Sequence, residues 1–309
     1  MPRSTDILLT ALAPAVWGST YLVATEVLPA GYPISMAALR ALPAGLLLLA
    51  LTRCLPPRIW LGRVFLLGSF NFALFWALLF VAAYRLPGGV AATLGSLQAM
   101  MVIVMARGWL GTPIRAGAVA AAATGVSGVA LLLIGPGAAL DPVGVAAGLG
   151  GAASMAAGTV LSRKWQPPVS PLSFTAWQLT AGGLILLPFA LIMEPPLPPL
   201  TGTNLAGLAW LGLIGAAATY ALWFRGVSRI EPGAVSMLGM MSPVTAVLLG
   251  WVVLGQSLTL MQGLGAAVVL GSVWAGQRAN RRSVPGASVA QSNSWHRLHD
   301  RSFGKENPS

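Results

Sequence analysis

Charged residues are scarce in this 309-residue chain, where Asp, Glu, Lys and Arg together make up only 8% of the residues. Soluble globular proteins carry about 25% charged residues. Nearly all of the charges fall outside ten long apolar segments, and Arg40 is the exception that lies well inside one. This composition, with a mean hydropathy of +0.77, does not fit a soluble protein.

The ten apolar segments each have close to the roughly 20 residues that an α-helix needs to cross about 30 Å of hydrocarbon. Strands and open loops cannot cross there, because their backbone polar groups would remain unpaired. The sequence therefore predicts an all-α membrane protein with ten transmembrane helices. The segments lie at about 7–27, 34–52, 64–84, 88–107, 116–134, 143–162, 172–192, 205–224, 232–252 and 259–277.

The basic residues are confined to alternate loops. If the N-terminus is cytoplasmic, sixteen of the eighteen Lys and Arg residues lie on the cytoplasmic side, Arg85 lies outside and Arg40 lies within a helix. This is the asymmetry of the positive-inside rule. We therefore expect a multi-pass protein of the cytoplasmic membrane with both termini cytoplasmic. Topology accounts for the net charge of +11, so no nucleic-acid partner is expected.

Reactive and titratable side chains are also few. The one cysteine, Cys54, cannot form an internal disulfide, and the two histidines, His296 and His299, lie in the C-terminal tail. None of the seven acidic residues lies in the central third of a predicted helix. Proton-driven carriers usually place an Asp, Glu or His there. We therefore predict no metal, no cofactor, no catalytic residue and no proton relay, and a polytopic membrane enzyme is disfavoured.

The chain repeats itself. The segment 33–49 is similar to 171–187, and matches further along keep a constant offset of 144, such as Leu110-Gly111 with Leu254-Gly255. These matches predict one five-helix repeat over 1–137 and a second over 138–281. Since five is odd, the second repeat must enter the membrane from the opposite side, and inverted repeats are typical of transporters with a site near the midplane. The tail 282–309 is expected to be disordered or foreign to the native chain.

Several motifs, in their order across the helices, resemble those of the EamA-type drug/metabolite transporters. They are W-G-S-T-Y at 17–21, Arg40, the G-G-V-A-A run ending at Ala92, E-P-G-A-V-S-M-L-G-M-M-S-P-V at 231–244 and L-G at 254–255. The resemblance covers about 7–277. It implies a ten-helix carrier that exports amino acids or other small metabolites, with the amino-acid exporters, including those for aromatic amino acids, as the favoured branch. A drug or sugar-derivative exporter remains the alternative.

Three groups of residues within the predicted helices are candidates for substrate binding. Arg40 could bind a carboxylate, although it could equally hold helix-end carbonyls or act in gating. Polar residues could line a cavity or form hydrogen bonds between helices. Aromatic residues could form cavity walls or an interfacial belt. The candidate set is Trp17, Tyr21, Arg40, Asn71, Phe75, Trp76, Gln98, Trp177, Gln178, Tyr220 and Ser242.

The expected partners are a small-molecule substrate, an amino acid or a related metabolite, and the lipid bilayer. A monomer is expected. The expected mechanism is alternating access, in which a central cavity opens to one side of the membrane at a time.

Overall fold

The computed structural model describes residues 4–86, 93–133, 141–255 and 259–281, and within these ranges it contains helices and no strand. We number ten helical segments in chain order. They are α1 (4–26, formed by Ser4–Trp17 and Ser19–Glu26), α2 (Pro33–Thr52), α3 (58–85), α4 (Thr93–Leu110), α5 (Ala116–Leu133), α6 (Pro142–Lys164), α7 (Pro171–Met193), α8 (Gly202–Arg229), α9 (Pro232–Leu254) and α10 (Leu260–Arg281).

The helix ends follow from local sequence. Proline occupies the first turn of α2, α6, α7 and α9, where the missing N–H is not needed. The Asp141 carboxylate accepts hydrogen bonds from the backbone N–H groups of Val143 (2.8 Å) and Gly144 (3.0 Å), and so caps α6. At the other ends of α4 and α9, Gly111 and Gly255 adopt left-handed conformations (φ 70° and 64°) that glycine tolerates without strain.

Eight of these segments are long and apolar enough to cross a membrane. The prediction of ten spans is therefore supported for eight of them, because α5 is a shorter apolar helix and α10 is not among the eight. The third helix begins at Arg58 and not at 64, since Arg58 and Arg63 extend its polar end. The predicted start of the fourth helix and the tail 282–309 lie outside the described residues.

Close pairs of helices join the first half of the described chain to the second. The main pairs are α2 with α7, α5 with α10, α3 with α6 and α1 with α8. Glycines allow the closest of these approaches: a β-carbon on Gly45 of α2 would lie 2.5 Å from the Thr180 backbone N of α7. On the facing helix, a β-carbon on Gly183 would lie 2.7 Å from Leu42 Cα. Small residues at such positions are the usual means by which helices associate in membranes.

Two helices contain π-helical turns. These are Ser69–Ala73 in α3 and Trp210–Ala218 in α8. Such turns disturb the regular backbone ladder and occur frequently at functional sites. Here side chains from other helices bind carbonyls in both turns: the Ser154 hydroxyl donates to the Phe70 carbonyl (2.9 Å), and Arg40 donates to the Gly215 carbonyl (2.7 Å).

The helix ends form two faces of the bundle, which we name after Asp6 and Asp141. On the Asp6 face, Asp6 pairs with Arg225 (2.7 Å) and Arg229 (3.2 Å), and so ties α1 to α8. On the Asp141 face, the Glu194 carboxylate accepts hydrogen bonds from the backbone N–H groups at the start of α2, at 2.6 and 2.7 Å. Each face thus contains polar contacts between the first and second halves of the chain.

Candidate functional site

An aromatic cluster occupies the middle of the bundle. Tyr220 of α8 is at its centre, with ring centroids 4.6 Å from Phe72 and 4.7 Å from Trp17. Trp76 meets the Phe72 ring edge-on at 5.3 Å, and Trp17 also contacts Trp223 at 5.1 Å. Such tilted and edge-on pairs are the geometries that aromatic rings prefer. Because α1, α3 and α8 each contribute rings, the cluster fixes these three helices relative to one another.

A cavity of about 360 Å³ borders this cluster. It lies towards the Asp141 face, because its walls include Ala24, Phe80 and Gly95, which are near the ends of their helices on that side. Its volume is in the range of pockets that hold small organic ligands. Seven of the eleven candidate residues line this cavity: Trp17, Arg40, Phe75, Trp76, Gln98, Tyr220 and Ser242.

Arg40 supplies the one charged side chain among the described lining residues. It is 8% exposed, and its guanidinium carbon lies 4.6 Å from the centre of the Trp76 ring, a cation–π geometry. Its terminal nitrogen donates to the Gly215 carbonyl, while its Nε has no partner among the described residues. The π-helical turn of α8 thus holds one end of the guanidinium and leaves another donor uncommitted.

Neutral polar groups complete the cavity wall. The Gln98 side chain is partly exposed and forms no described hydrogen bond, so both its donor and its acceptor are available to a ligand. The Trp17 Nε1–H is committed, because it donates to the Thr219 hydroxyl at 2.9 Å. By contrast, the buried Trp223 Nε1–H has no partner among the described residues.

Three of the candidate residues are not among those that line the cavity. The fully buried Asn71 amide donates to the Gln178 side-chain oxygen (2.7 Å) and to the Ser162 hydroxyl (3.1 Å). Trp177 is 2% exposed and donates to the Cys54 carbonyl at the Asp6 face (2.6 Å). These residues hold α3, α6 and α7 together. The side chain of a fourth candidate, Tyr21, lies outside the described part of the chain.

The cavity also contains residues that the candidate set does not include. Trp223, Thr20, Met155 and Met240 all line it. Trp223 follows Tyr220 by three residues, and residues three apart on a helix share a face. That spacing places Trp223 beside Tyr220 on the cavity wall. Met155 and Met240 give no comparable signal, because methionine is an ordinary residue within apolar helices.

A second cavity, of about 390 Å³, lies between α1, α9 and α10. Its walls include Leu270 and Trp274, which are 46% and 59% exposed, so it belongs to the outer surface of the bundle. Within the described ranges, no three His, Cys, Asp or Glu side chains come close enough to share an ion.

Long apolar helices around an internal, aromatic-walled cavity define a polytopic membrane protein that could carry a small molecule. Comparison with known proteins identifies the family, because the model of the EamA-like transporter family matches residues 4–134 and again 142–275. The chain belongs to the EamA-like transporter family. The resemblance found in the sequence is confirmed, and the protein is a multi-pass membrane transporter of the drug/metabolite transporter superfamily.

Individual relatives agree with this assignment. Protein PecM of Dickeya dadantii (strain 3937) is 44% identical over 264 residues, which cover 85% of this chain and 86% of PecM. The uncharacterized inner membrane transporter YedA of Escherichia coli (strain K12) is 30% identical over 266 residues, which cover 84% of this chain and 86% of YedA. A solved crystal structure with 21% identity has a TM-score of 0.77 and covers 91% of this chain and 100% of its own, which shows the same fold.

Proposed function

We propose that the protein exports small metabolites across the cytoplasmic membrane by alternating access, and that its substrates are amino acids with apolar or aromatic side chains. The observation that carries this proposal is the central cavity. Its aromatic walls suit an apolar side chain, and Arg40 and Gln98 offer hydrogen bonds to a polar head group. A transporter family suggests a protein that is not an enzyme, so we assign no catalytic residue.

Alternating access is supported by the difference between the two faces. The cavity lies towards the Asp141 face, whereas the half of the bundle towards the Asp6 face is filled by the buried Asn71, Gln178 and Ser162 contacts. We propose that these contacts separate when the cavity opens towards the Asp6 face. In the proposed state that is closed towards the Asp6 face, the hydrogen bonds from Asn71 to Gln178 and Ser162 hold α3, α6 and α7 together.

We also propose that 1–137 and 138–281 are inverted repeats. Three observations support this division. The family model matches twice, at 4–134 and 142–275. Both α3 and α8 contain a π-helical turn. The left-handed glycines that end α4 and α9, Gly111 and Gly255, are also 144 residues apart, the offset of the sequence repeat. The odd number of helices in each repeat would then reverse its direction through the membrane.

Counterflow in proteoliposomes tests the proposed function. Vesicles loaded with unlabelled phenylalanine should accumulate labelled phenylalanine faster than vesicles without protein. The second candidate function is export of a drug or of a sugar derivative, because the apolar walls of the cavity could hold either. Counterflow of those compounds in the absence of any amino-acid exchange would favour the second candidate over the first.

The first prediction concerns topology. Cys54 is replaced with serine, and single cysteines are then introduced as Ala139→Cys and Ser283→Cys. Because the basic loops should face the cytoplasm, an impermeant thiol reagent should label Ala139→Cys only from outside and Ser283→Cys only from inside. The variant without cysteine is the control. Labelling of both positions from one side would overturn the proposed orientation and the inverted repeats.

The second prediction concerns the energy source. None of the described residues that line the cavity is Asp, Glu or His, so counterflow should proceed at the same rate with and without a pH gradient. At the Asp6 face, the pKa of the Glu231 carboxyl lies above its ordinary value. Burial raises this pKa by more than the nearby Arg115 guanidinium lowers it. A raised pKa brings protonation closer to neutral pH. Counterflow that occurs only with a pH gradient would contradict the prediction. If Glu231→Gln then removed this dependence on the gradient, the Glu231 carboxyl would be the group that carries the proton.

A further inference from the structure

We infer that the central cavity recognises its substrate as an anion, with Arg40 as the counter-ion, and that a free ammonium group on the substrate weakens binding. This inference rests on the proposed function and concerns the charge of the substrate that the same cavity binds. The ligand would have an aromatic or apolar body and one carboxylate. Amino-acid derivatives that have lost the positive charge of the amino group would then be bound better than the amino acids themselves.

The first step is the unbalanced charge of Arg40. The described ion pairs join Arg85 to Asp141, and Arg225 and Arg229 to Asp6, and none includes Arg40. Its described contacts include two uncharged groups, the Gly215 carbonyl and the Trp76 ring. Removing an arginine from water is costly when no opposite charge accompanies it. A carboxylate on the substrate would supply that charge.

The second step is that none of the described ion pairs joins an acidic residue to Arg40. Of the chain's seven acidic residues, Asp300 and Glu306 belong to the tail outside the described residues, and Glu26 is exposed at the end of α1. The remaining four lie at the two faces, near other partners. Asp6 and Asp141 form ion pairs, Glu194 accepts from the start of α2, and Glu231 lies near Arg115.

The third step is a pair of unpartnered donors on residues that line the cavity. The Arg40 Nε–H and the Trp223 Nε1–H both belong to groups that only donate, both are buried, and neither has a partner among the described residues. A buried donor without an acceptor is costly, so a ligand whose oxygens reach these two N–H groups would gain a hydrogen bond from each. The Gly215 carbonyl, by contrast, already accepts from Arg40 and from Thr219 (3.0 Å).

These three observations predict how binding depends on ligand charge. An ammonium group in this cavity meets a like charge at Arg40 and finds only neutral oxygens, such as that of Gln98, among the described lining residues. A carboxylate meets a cation and uncommitted donors. Among ligands with one phenyl ring, the order of affinity should be 3-phenylpropionate first, phenylalanine second, and phenylalanine amide last.

The test measures binding of these three compounds and of neutral 3-phenylpropan-1-ol to the purified full-length protein, by isothermal titration calorimetry. Because a hydrogen bond to a charged group contributes about 1.5–3 kcal/mol, 3-phenylpropionate should bind about 10- to 150-fold more tightly than the alcohol. Arg40→Gln should abolish this difference, and Arg40→Lys should keep most of it. Trp223→Phe retains a ring and loses the donor, so it should weaken binding of the acid more than binding of the alcohol, because a hydrogen bond to a charged acceptor is the stronger one.

Equal binding of the acid and the alcohol, or tighter binding of phenylalanine amide, would overturn the inference. If Arg40→Gln does not fold, the inference is still tested by comparing the affinities for the acid and the alcohol in the parent, Arg40→Lys and Trp223→Phe. Counterflow separates the two proposals. Exchange of 3-phenylpropionate without exchange of phenylalanine would refute amino-acid export and leave the anion site standing. Exchange of phenylalanine and its amide at equal rates, in the parent and in Arg40→Lys, would refute the anion site alone.

Discussion

Gly183→Leu should prevent the protein from reaching its folded state. A β-carbon at this position would lie 2.7 Å from the Cα, N and Cβ atoms of Leu42, and backbone atoms of a packed helix cannot move aside as a flexible side chain can. Overpacking a core typically costs about 1–3 kcal/mol, and a leucine forced against backbone should exceed that range. The expected result is loss of the monodisperse peak when the detergent-purified protein is examined by size exclusion.

Gly62→Leu is the matched control for this substitution. Gly62 lies in α3, is exposed, and has no described atom within 4 Å of the position that a β-carbon would take. It receives the same side chain in the same kind of helix, so it should purify like the parent protein. A normal yield and an unchanged melting temperature for Gly183→Leu would show that α2 and α7 do not pack as closely as described.

Trp76→Ala should lower both stability and transport by large factors. Trp76 is 3% exposed, contacts Phe72 at 5.3 Å and lies beneath the Arg40 guanidinium at 4.6 Å. Removing a buried tryptophan typically costs about 3–5 kcal/mol, and here it also removes the ring that holds Arg40. We expect a melting temperature well below that of the parent and counterflow close to that of empty vesicles.

Trp76→Phe separates the two effects. Phenylalanine keeps an aromatic face for the guanidinium, although it offers a weaker cation–π contact than tryptophan. We expect this variant to recover most of the stability and part of the transport. Wild-type counterflow by Trp76→Ala would show that neither the ring nor its contact with Arg40 contributes to the transport path.

The helices could be predicted from sequence because the bilayer imposes a length and a composition on each of them. Eight of the ten predicted segments begin within about three residues of the helices described here, the third begins six residues too late, and the predicted start of the fourth lies outside the described residues. The π-helical turns at Ser69–Ala73 and Trp210–Ala218 could not be predicted in this way. They depend on side chains from other helices, such as Arg40 and Ser154, that bind the carbonyls in these turns.

The site could be predicted only in part, because a polar residue within a membrane helix has two possible surroundings. Asn71 and Gln98 are alike in the sequence, each a single amide within an apolar helix. In the structure Asn71 meets Gln178 and Ser162 in a packed interior, whereas Gln98 borders the cavity. The difference arises from which helix faces each amide, and the helical pattern of one segment does not contain that information.

Counterflow of phenylalanine by Gln98→Ala tests whether the central cavity is the substrate site. Gln98 lines the cavity, is partly exposed and has no described partner to lose, so alanine removes a ligand contact without opening a packed core. Leu47→Ala is the control, because Leu47 is 42% exposed on the outside of α2. At equal melting temperatures, Gln98→Ala should slow counterflow by about tenfold and Leu47→Ala should leave it unchanged. Parent rates for Gln98→Ala would contradict the claim that this cavity is the substrate site.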